Sequence, residues 1–411
     1  MTTLLAVGRR KKIPQGLIGC LGCVWYISSV KLRKSGRLKG HVNHSIMPIF
    51  MDRHDLPDSI TAEYIAQLHQ EDLKIEAQFG CRGLTYWFDS ERKTAFCLVE
   101  AAEKSAIVKM HNHAHGAIPH LIIEVEPSIV ESFLGRIEDP EKAKNIALNI
   151  INDPAFRTLM VLQLNSMSSN QNHPTLRVVH RDHLNAVSDV IEKFEGSVVK
   201  QNESALLVSF KSVTNAVQAS SAISSYIKKV NTNKISFKIG LSAGVPVTKE
   251  GSIFETTIKA AERMCLLVNG EIIISSEVKD LFNSENLNKL KGEKNIRCIK
   301  PSDEKFLNEL IDYMEMNWNN TSVKIDDLGK ALGYSRSKLY RNMISLSGQS
   351  PNNFLKEYRL DQAFKLLDKG TRNISEVALE TGFSDVSYFS KCFQKKYGYL
   401  PSQHFRLSKN P

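Results

Sequence analysis

Residues 47–126 switch repeatedly between strand-like and helix-like hydrophobic periods. MPIFMD, at 47–52, reads as a strand, and Thr61–Phe79 reads as an amphipathic helix with Ala62, Ile65, Ala66 and Leu68 on its apolar side. Gly83–Asp89 and Thr94–Glu100 are two strands around Ser90–Lys93, which predicts a hairpin. Glu103–His115 reads as a helix and His120–Val125 as a strand. The order βαββαβ predicts a ferredoxin-like domain over 47–126.

The polar stretch 127–155 reads as a helical connector. Alternation then resumes over 156–282: strand Thr158–Leu164, helix His183–Phe194, hairpin strands Ser197–Lys200 and Leu206–Phe210, helix Val213–Val230, strand Ile235–Ala243, helix Thr256–Val268 and strand Glu271–Ser275. This predicts a second α/β domain. Residues 283–303 are hydrophilic and read as a linker. From 304 to 407 the pattern is helix and turn only. The expected fold class is therefore a multidomain α+β chain ending in an all-α domain.

Composition changes this picture at one end only. The chain carries a formal charge of +10, but residues 1–46 hold nine of its 54 Lys and Arg (Arg9, Arg10, Lys11, Lys12, Lys31, Arg33, Lys34, Arg37, Lys39) and none of its 44 Asp and Glu. The rest is close to neutral. Three readings of this extension stand. Basic residues ahead of the apolar Gly16–Val30 resemble a secretory signal, but the apolar run is short for a membrane span and lacks a small-residue cleavage site. A basic arm for nucleic acid is the second. The favoured reading is that translation starts at Met47, because the segment shows neither helical period nor capping. Cys20 and Cys23 form a lone CxxC, a weak metal or redox signal without a second pair. Seven scattered cysteines argue for a reducing compartment.

The C-terminal hundred residues repeat one motif. Gly333 and Gly382 are 49 apart; Leu339 and Phe389, Met343 and Phe393, Gly348 and Gly398, and Pro351 and Pro401 are each 50 apart. In each copy a short helix meets a Gly-aromatic-Ser turn and a longer basic helix follows, the layout of a helix-turn-helix. Leu339, Met343 and Leu346 should pack inward in the first long helix, and Phe389, Phe393 and Tyr397 in the second. Ser350 and Pro351 start a helix between the copies, as cap and first helical residue, with Leu360, Ala363, Phe364 and Leu367 as its buried stripe. It would fix the spacing of two reading heads, which adjacent major grooves place about 34 Å apart. A solvated basic face would explain one such helix but not two in tandem. Through SRSKLYR, SGQSP, YRLDQA, ISEVALETGFSDVSYFSKCFQKKYG and PSQHFR, residues 304–407 resemble the DNA-binding domain of the AraC-type transcription regulators. The resemblance implies base contacts from Ser337, Tyr340 and Arg341 in the first recognition helix and from Ser387, Tyr388 and Lys391 in the second. Arg336, Lys338 and Lys395 are expected on phosphates.

Seven of twelve His lie in 44–120. His111 and His115, at i and i+4, share a helix face, a common way to present two nitrogen ligands to one metal. His69 and Asp72 lie at i and i+3 on the first helix, and His54 follows the first strand. In a βαββαβ fold the two helices lie side by side, so His54, His69, Asp72, His111 and His115 are the candidate ligands; an unrelated surface cluster is the alternative. Cys97, mid-strand in an apolar run, reads as core rather than ligand. Through MPIFMDRHDLP, LTYWFDSE, FCLVEA and the HxxxHG at His111, His115 and Gly116, residues 47–126 are similar to small ferredoxin-like proteins described as nickel-binding. Nitrogen and carboxylate ligands suit Ni²⁺, Cu²⁺ or Zn²⁺ alike.

Through FRTLMVLQLNSMSS, GSVVKQNESALLVSF, FKIGLSAGVPV and AERMCLLVNGEIIIS, residues 156–282 resemble the catalytic domain of class III nucleotidyl cyclases. Those enzymes hold two Mg²⁺ with two Asp. The first Asp position is Gln163 here. The Gly-Asp-Gly falls on Glu203, Ser204 and Ala205, and the Asn of the transition-state pair on Lys259. Arg263 and Lys200 match residues of the family. Neither Gln nor Ser is a good hard-cation ligand, so this domain reads as non-catalytic, either binding a nucleotide-like ligand or only dimerising. The expectation is a cytoplasmic, non-enzymatic transcription regulator that binds double-stranded DNA, forms a homodimer through the cyclase-like or ferredoxin-like domain, has no membrane contact, and responds to a metal ion (possible nickel) or small effector. A nucleotidyl cyclase fused to a DNA-binding module is the alternative of another class, and a metal-storage domain that does not signal is a third.

Overall fold

A computed structural model describes residues 47–140, 148–166, 173–202, 204–230, 235–267, 270–286, 295–370 and 372–409. The basic extension, its Gly16–Val30 run, Cys20, Cys23 and Glu203 lie outside these. No helix among the described residues is long and apolar enough to cross a membrane.

The N-terminal unit runs β1 (Ile49–Asp55), α1 (Ala62–Ile75), β2 (Cys81–Asp89), β3 (Thr94–Ala101), α2 (Lys104–Ala114) and β4 (Leu121–Val125). Thr61 starts α1 by accepting from Tyr64 N at 3.3 Å, and Gly80, at φ +64°, turns the chain into β2. The sheet order is β2-β3-β1-β4, with all neighbours antiparallel. Successive strand residues face opposite sides. On β1, Phe50 packs in the core under α1 and α2, whereas Met51 enters the core on the opposite face.

The chain continues through α3 (Pro127–Leu134), β5 (Arg157–Ser166), α4 (His173–Lys193), β6 (Ser197–Gln201), β7 (Ala205–Phe210), α5 (Val213–Val230), β8 (Ile235–Gly244), α6 (Glu255–Met264), β9 (Ile272–Ile274), α7 (Ser276–Asn286) and β10 (Ile296–Cys298). The sheet order is β10-β9-β8-β5-β7-β6. Its first four strands repeat the N-terminal arrangement: β8-β5-β7-β6 are antiparallel, and β9 and β10 add in parallel. One face is covered by α4, α5 and α7. The other face meets α3, α6 and the uncovered face of the N-terminal sheet in a single core that includes Met51, Trp87, Leu98, Phe133, Leu207 and Phe254.

Two expectations change. Among its described residues, 127–140 and 148–155, the connector is helical only over Pro127–Leu134, because Gly135 at φ +84° ends α3, and the chain after 147 is held instead by hydrogen bonds to the N-terminal sheet. Tyr86 Oη, for example, donates to Asn149 O and accepts from Ile151 N, both at 2.8 Å. Of the stretch 283–303 expected as a linker, the described residues are 283–286 and 295–303. They hold the end of α7, all of β10 and the start of the next helix, because Ile296 and Ile299 bring enough apolar surface to extend the sheet and its core.

The C-terminal unit is α8 (Pro301–Asn317), α9 (Ile325–Ala331), α10 (Arg336–Ser347), α11 (Pro351–Asp368), α12 (Ile374–Glu380), α13 (Val386–Tyr397) and α14 (Pro401–Lys409). α8 belongs to two bodies. Glu304 accepts from Ser276 N at 2.6 Å, at the start of α7, while Leu310 and Met314 enter a core with Leu339, Met343 and Phe354. A second core, around Leu360, Phe389 and Phe393, serves the second half. Arg359 of α11 ties the halves by donating to Trp318 O and Asn320 O, both at 2.8 Å.

The joint between connector and sheet rests on Arg157, which is 1% exposed. It donates to Phe133 O (3.0 Å) and Leu134 O (3.3 Å), the carbonyl end of α3, and to Pro154 O and Phe156 O. A helix C-terminus favours a cation, but burial still pulls the guanidinium down to about 10. Arg157→Met should lower stability by about 2–3 kcal/mol, since several buried carbonyls lose their donor. This is read as a lower urea midpoint for the β-sheet signal; an unchanged midpoint would remove Arg157 from the joint.

Candidate metal centre and nucleic-acid interface

α1 turns an unusual face inward. Its buried residues are Ile65, Ala66, His69 and Asp72, while Leu73 is left 38% exposed. α2 likewise buries His111 beside Ile107 and Met110. Opposite them Asp52, in the middle of β1, points to the helices with 1% exposure. Buried charges persist only when paired, and these are. His111 Nε2 lies 3.0 Å from Asp52 Oδ2, and His111 Nδ1 lies 3.0 Å from Asp72 Oδ2. His115 Nε2 lies 3.2 Å from Asp72 Oδ1 and 3.3 Å from His111 Nδ1. Asp52 Oδ1 also accepts from Cys97 N at 2.9 Å. His54 Nε2 lies 3.3 Å from Asp52 Oδ1, in a geometry that makes no hydrogen bond.

Two overlapping groups follow, each with ligand atoms within 4.8 Å of one another: Asp72, His111 and His115; and Asp52, His54, Cys97 and His111. Burial disfavours a charged His111, but hydrogen bonds to Asp52 and Asp72 outweigh it and push the imidazole up to about 10. Burial likewise works against Asp52 and Asp72, yet their imidazole neighbours hold both below the ordinary carboxylate range. Burial pushes the Cys97 thiol well up.

Of the five residues expected from sequence, Asp72, His111 and His115 form one group, and His54 lies in the other, which shares His111. His69 does not: its ring packs 4.9 Å from Tyr86 and its Nε2 lies 3.5 Å from Asp139 Oδ2 in the connector. Spacing placed His69 and Asp72 on one helix face but could not show that a remote carboxylate claims His69. Sequence reasoning missed Asp52, and it read Cys97 as core, where the residue does pack while also lining the cluster. The alternation Phe50-Asp52 along β1 was the available signal, because it puts a carboxylate on an otherwise apolar face.

At the other end, Ser335 caps α10 by accepting from Lys338 N at 3.3 Å, and Asp385 caps α13 by accepting from Tyr388 N at 2.5 Å. Leu339, Met343 and Leu346 are buried in α10, as are Phe389 and Phe393 in α13; Tyr397 is half-buried. Arg336, Ser337, Lys338, Tyr340, Arg341, Ser387, Tyr388, Lys391 and Lys395 are all exposed. Tyr340 is 49% exposed and Tyr388 55%, so each helix presents an aromatic hydroxyl among cations to solvent. Arg336 makes a loose ion pair with Asp326 at 3.7 Å, and Lys338 sits over the Tyr334 ring.

In the middle domain Gln163 pairs in register with Ala205, next to Ser204, and Leu164 N donates to Ser204 O at 2.7 Å. The two positions that the sequence resemblance aligned with metal-binding carboxylates thus adjoin, and they are Gln163 and Ser204. Lys259 is occupied by Glu250 and Glu255, both at 2.8 Å. Arg263 is occupied by Asp312, by Asn308 at 2.9 Å and by Glu315 at 3.7 Å, all on α8.

Comparison with known proteins identifies both ends. Residues 328–406 match the family model "Helix-turn-helix domain", and residues 50–125 match "Nickel responsive protein SCO4226-like". The chain is 35% identical over 128 residues to Histidine kinase P4 of Formosa agariphila, a match covering 29% of this chain and 9% of that protein. It is 35% identical over 94 residues to an uncharacterized HTH-type transcriptional regulator in the cgkA 5' region of Pseudoalteromonas carrageenovora, covering 23% and 55% respectively. Among solved structures it resembles SCO4226 from Streptomyces coelicolor A3(2), with 32% identity, 19% of this chain and 94% of that chain covered, and a TM-score of 0.18. The chain spans less than a tenth of the first of these curated relatives and about half of the second. It carries a helix-turn-helix domain over residues 328–406 and an SCO4226-like domain over residues 50–125.

Proposed function

We propose that this protein is a sequence-specific transcription regulator of the AraC type, acting in the cytoplasm, whose DNA affinity is set by a divalent transition metal in the N-terminal domain. The observation that carries the reading is the pair of capped helices, α10 and α13, each with a buried apolar side and an exposed polar one. Ser337, Tyr340 and Arg341, with Ser387, Tyr388 and Lys391, are read as base contacts; Arg336, Lys338 and Lys395 as phosphate contacts. Their exposure along the two helices supports this.

We read the N-terminal unit as ferredoxin-like, on its element order and sheet order. Its buried cluster fits a metal on donor chemistry. Two imidazole nitrogens 3.3 Å apart cannot both carry a proton toward each other, and a carboxylate adjoins both. Asp72, His111 and His115 would hold the ion, and Asp52 on the far nitrogen of His111 would fix its ring, as carboxylates do behind metal-bound His. A bound ion would supply a fixed positive charge linking α1 to α2. His111 would release a proton to accept it. The nickel-responsive match makes Ni²⁺ the first ion to test.

The middle domain is read as a cyclase-like scaffold without catalysis. Gln163 and Ser204 replace carboxylates, and Lys259 and Arg263 are engaged by acids of this chain. A homodimer would have to use other surfaces than the two uncovered sheet faces, which are buried against each other.

Selection of genomic fragments by the full chain, with Ni²⁺ or with chelator, tests the DNA reading. Arg341→Ala should weaken the selected site by about 1–3 kcal/mol and relax its sequence, while Lys395→Ala should weaken all sequences and lower the salt slope by about 1. No enriched site in either condition would sink the regulator reading. Nickel titration tests the metal. His111→Ala should abolish binding and His69→Ala should leave the stoichiometry intact; loss of binding in His69→Ala alone would place the ion elsewhere. Without metal, Asp52→Ala should cost about 1–3 kcal/mol of stability, since it leaves His111 Nε2 buried without its acceptor while Asp72 still holds Nδ1; a thermal midpoint matching the parent would contradict the pairing.

A further inference from the structure

We propose that α6 is the lever through which the state of the metal cluster reaches the DNA-binding domain, with Arg263 as its positioning residue. The proposal rests on the regulator reading above and names how that regulation travels.

Among the described residues, α6 and the turn after it are what put side chains into both interdomain cores. Ile258, Ala261 and Cys265 lie in the core shared with the N-terminal sheet. Met264 and Leu267, on the other side, lie in the core shared with α8 and α10. Arg263 adds its contacts to Asn308, Asp312 and Glu315 of α8. α8 itself packs on Leu339 and Met343, the inner face of the first recognition helix.

The input side is one strand. On β1, Asp52 reaches the cluster while the next residue, Arg53, donates to Val247 O at 3.2 Å, across the joint. Val247 opens the loop that leads into α6. That loop ends at Phe254, fully buried, at φ 55° and ψ 19°. A bulky side chain in the left-handed region is strained and persists only where its surroundings hold it. Phe254 is held by a hydrogen bond to Pro246 O at 2.8 Å and by the Phe133 ring, 4.9 Å away. The far end of the helix, just before Arg263, is packed closely on the sheet: a Cβ on Gly240 of β8 would stand 2.1 Å from Ala261 O. A displacement at Val247 therefore passes along α6 as a rigid body and leaves through Arg263, because packed interfaces switch rather than deform smoothly.

The test uses the full chain, as wild type, Arg263→Gln and Arg263→Lys, each with Ni²⁺ or chelator. Operator affinity and hydrogen exchange of the α8 amides are both read. The expected result is a Ni²⁺-dependent change in both for wild type, about tenfold in affinity. Arg263→Gln should take up the same Ni²⁺ but lose most of both changes, and Arg263→Lys should keep part of them. A full response in Arg263→Gln overturns the proposal and leaves the metal switch standing. Operator affinity indifferent to Ni²⁺ in wild type sinks the metal switch instead; α8 exchange then decides, since a Ni²⁺-dependent change abolished by Arg263→Gln keeps α6 as the link and no change removes it. Should Arg263→Gln fail to fold, Asn308→Ala with Asp312→Ala and Glu315→Ala removes the same contact from the α8 side.

Discussion

The uncovered face of each βαββαβ sheet governs this architecture. Two helices cover one side of such a sheet, and the other side must find an apolar cover or stay exposed at a cost proportional to its area. In this chain each sheet is the other's cover, with α3 and α6 wedged at the margins. The consequence is positional. Strand residues pointing one way build the joint and those pointing the other way build the chemistry, so Asp52 and Met51 are neighbours in sequence and members of different sites.

Inside the N-terminal domain the logic reverses. A buried carboxylate-imidazole-carboxylate chain contributes little to folding, because desolvation consumes most of the Coulombic gain and apolar residues of the same size would serve stability as well. Its presence on faces that otherwise follow apolar patterning, while Leu73 is turned outward, marks a compromise between packing and chemistry. The Arg157 joint is different: there the charge meets only carbonyls at a helix end, and its role is to close the connector onto the sheet.

Much of this was legible from local patterning. Inward Leu339, Met343, Phe389 and Phe393 followed from helical spacing, and the cap at Ser350 from the Ser-Pro pair that starts α11. Helical spacing also gave the meeting of His111 with His115, which needs only one helix. What escaped was set by partners distant in sequence. His69 was lost to Asp139, seventy residues on, and Asp52 entered the cluster only because β1 pairs with β3 and lies under both helices. β10 escaped for a related reason: three residues with a hydrophilic approach carry too little pattern to be seen, and only an existing sheet edge makes them a strand. Arg263, matched to a catalytic position by its place in the sequence, is spent on α8.

On the proposed reading as a DNA-binding regulator, the tie that Arg359 makes between the two helix-turn-helix halves has a consequence for the form of the operator. The two recognition helices differ in sequence and sit in fixed order on one chain, RSKLYRNMISLS ahead of VSYFSKCFQKKY. A symmetric dimer of identical heads reads the same word from both strands and so carries no sense of left or right. Two unlike heads joined rigidly read a sentence with a direction. The operator need not be a palindrome, and inverting it would present the rest of the protein to the opposite flank of the DNA.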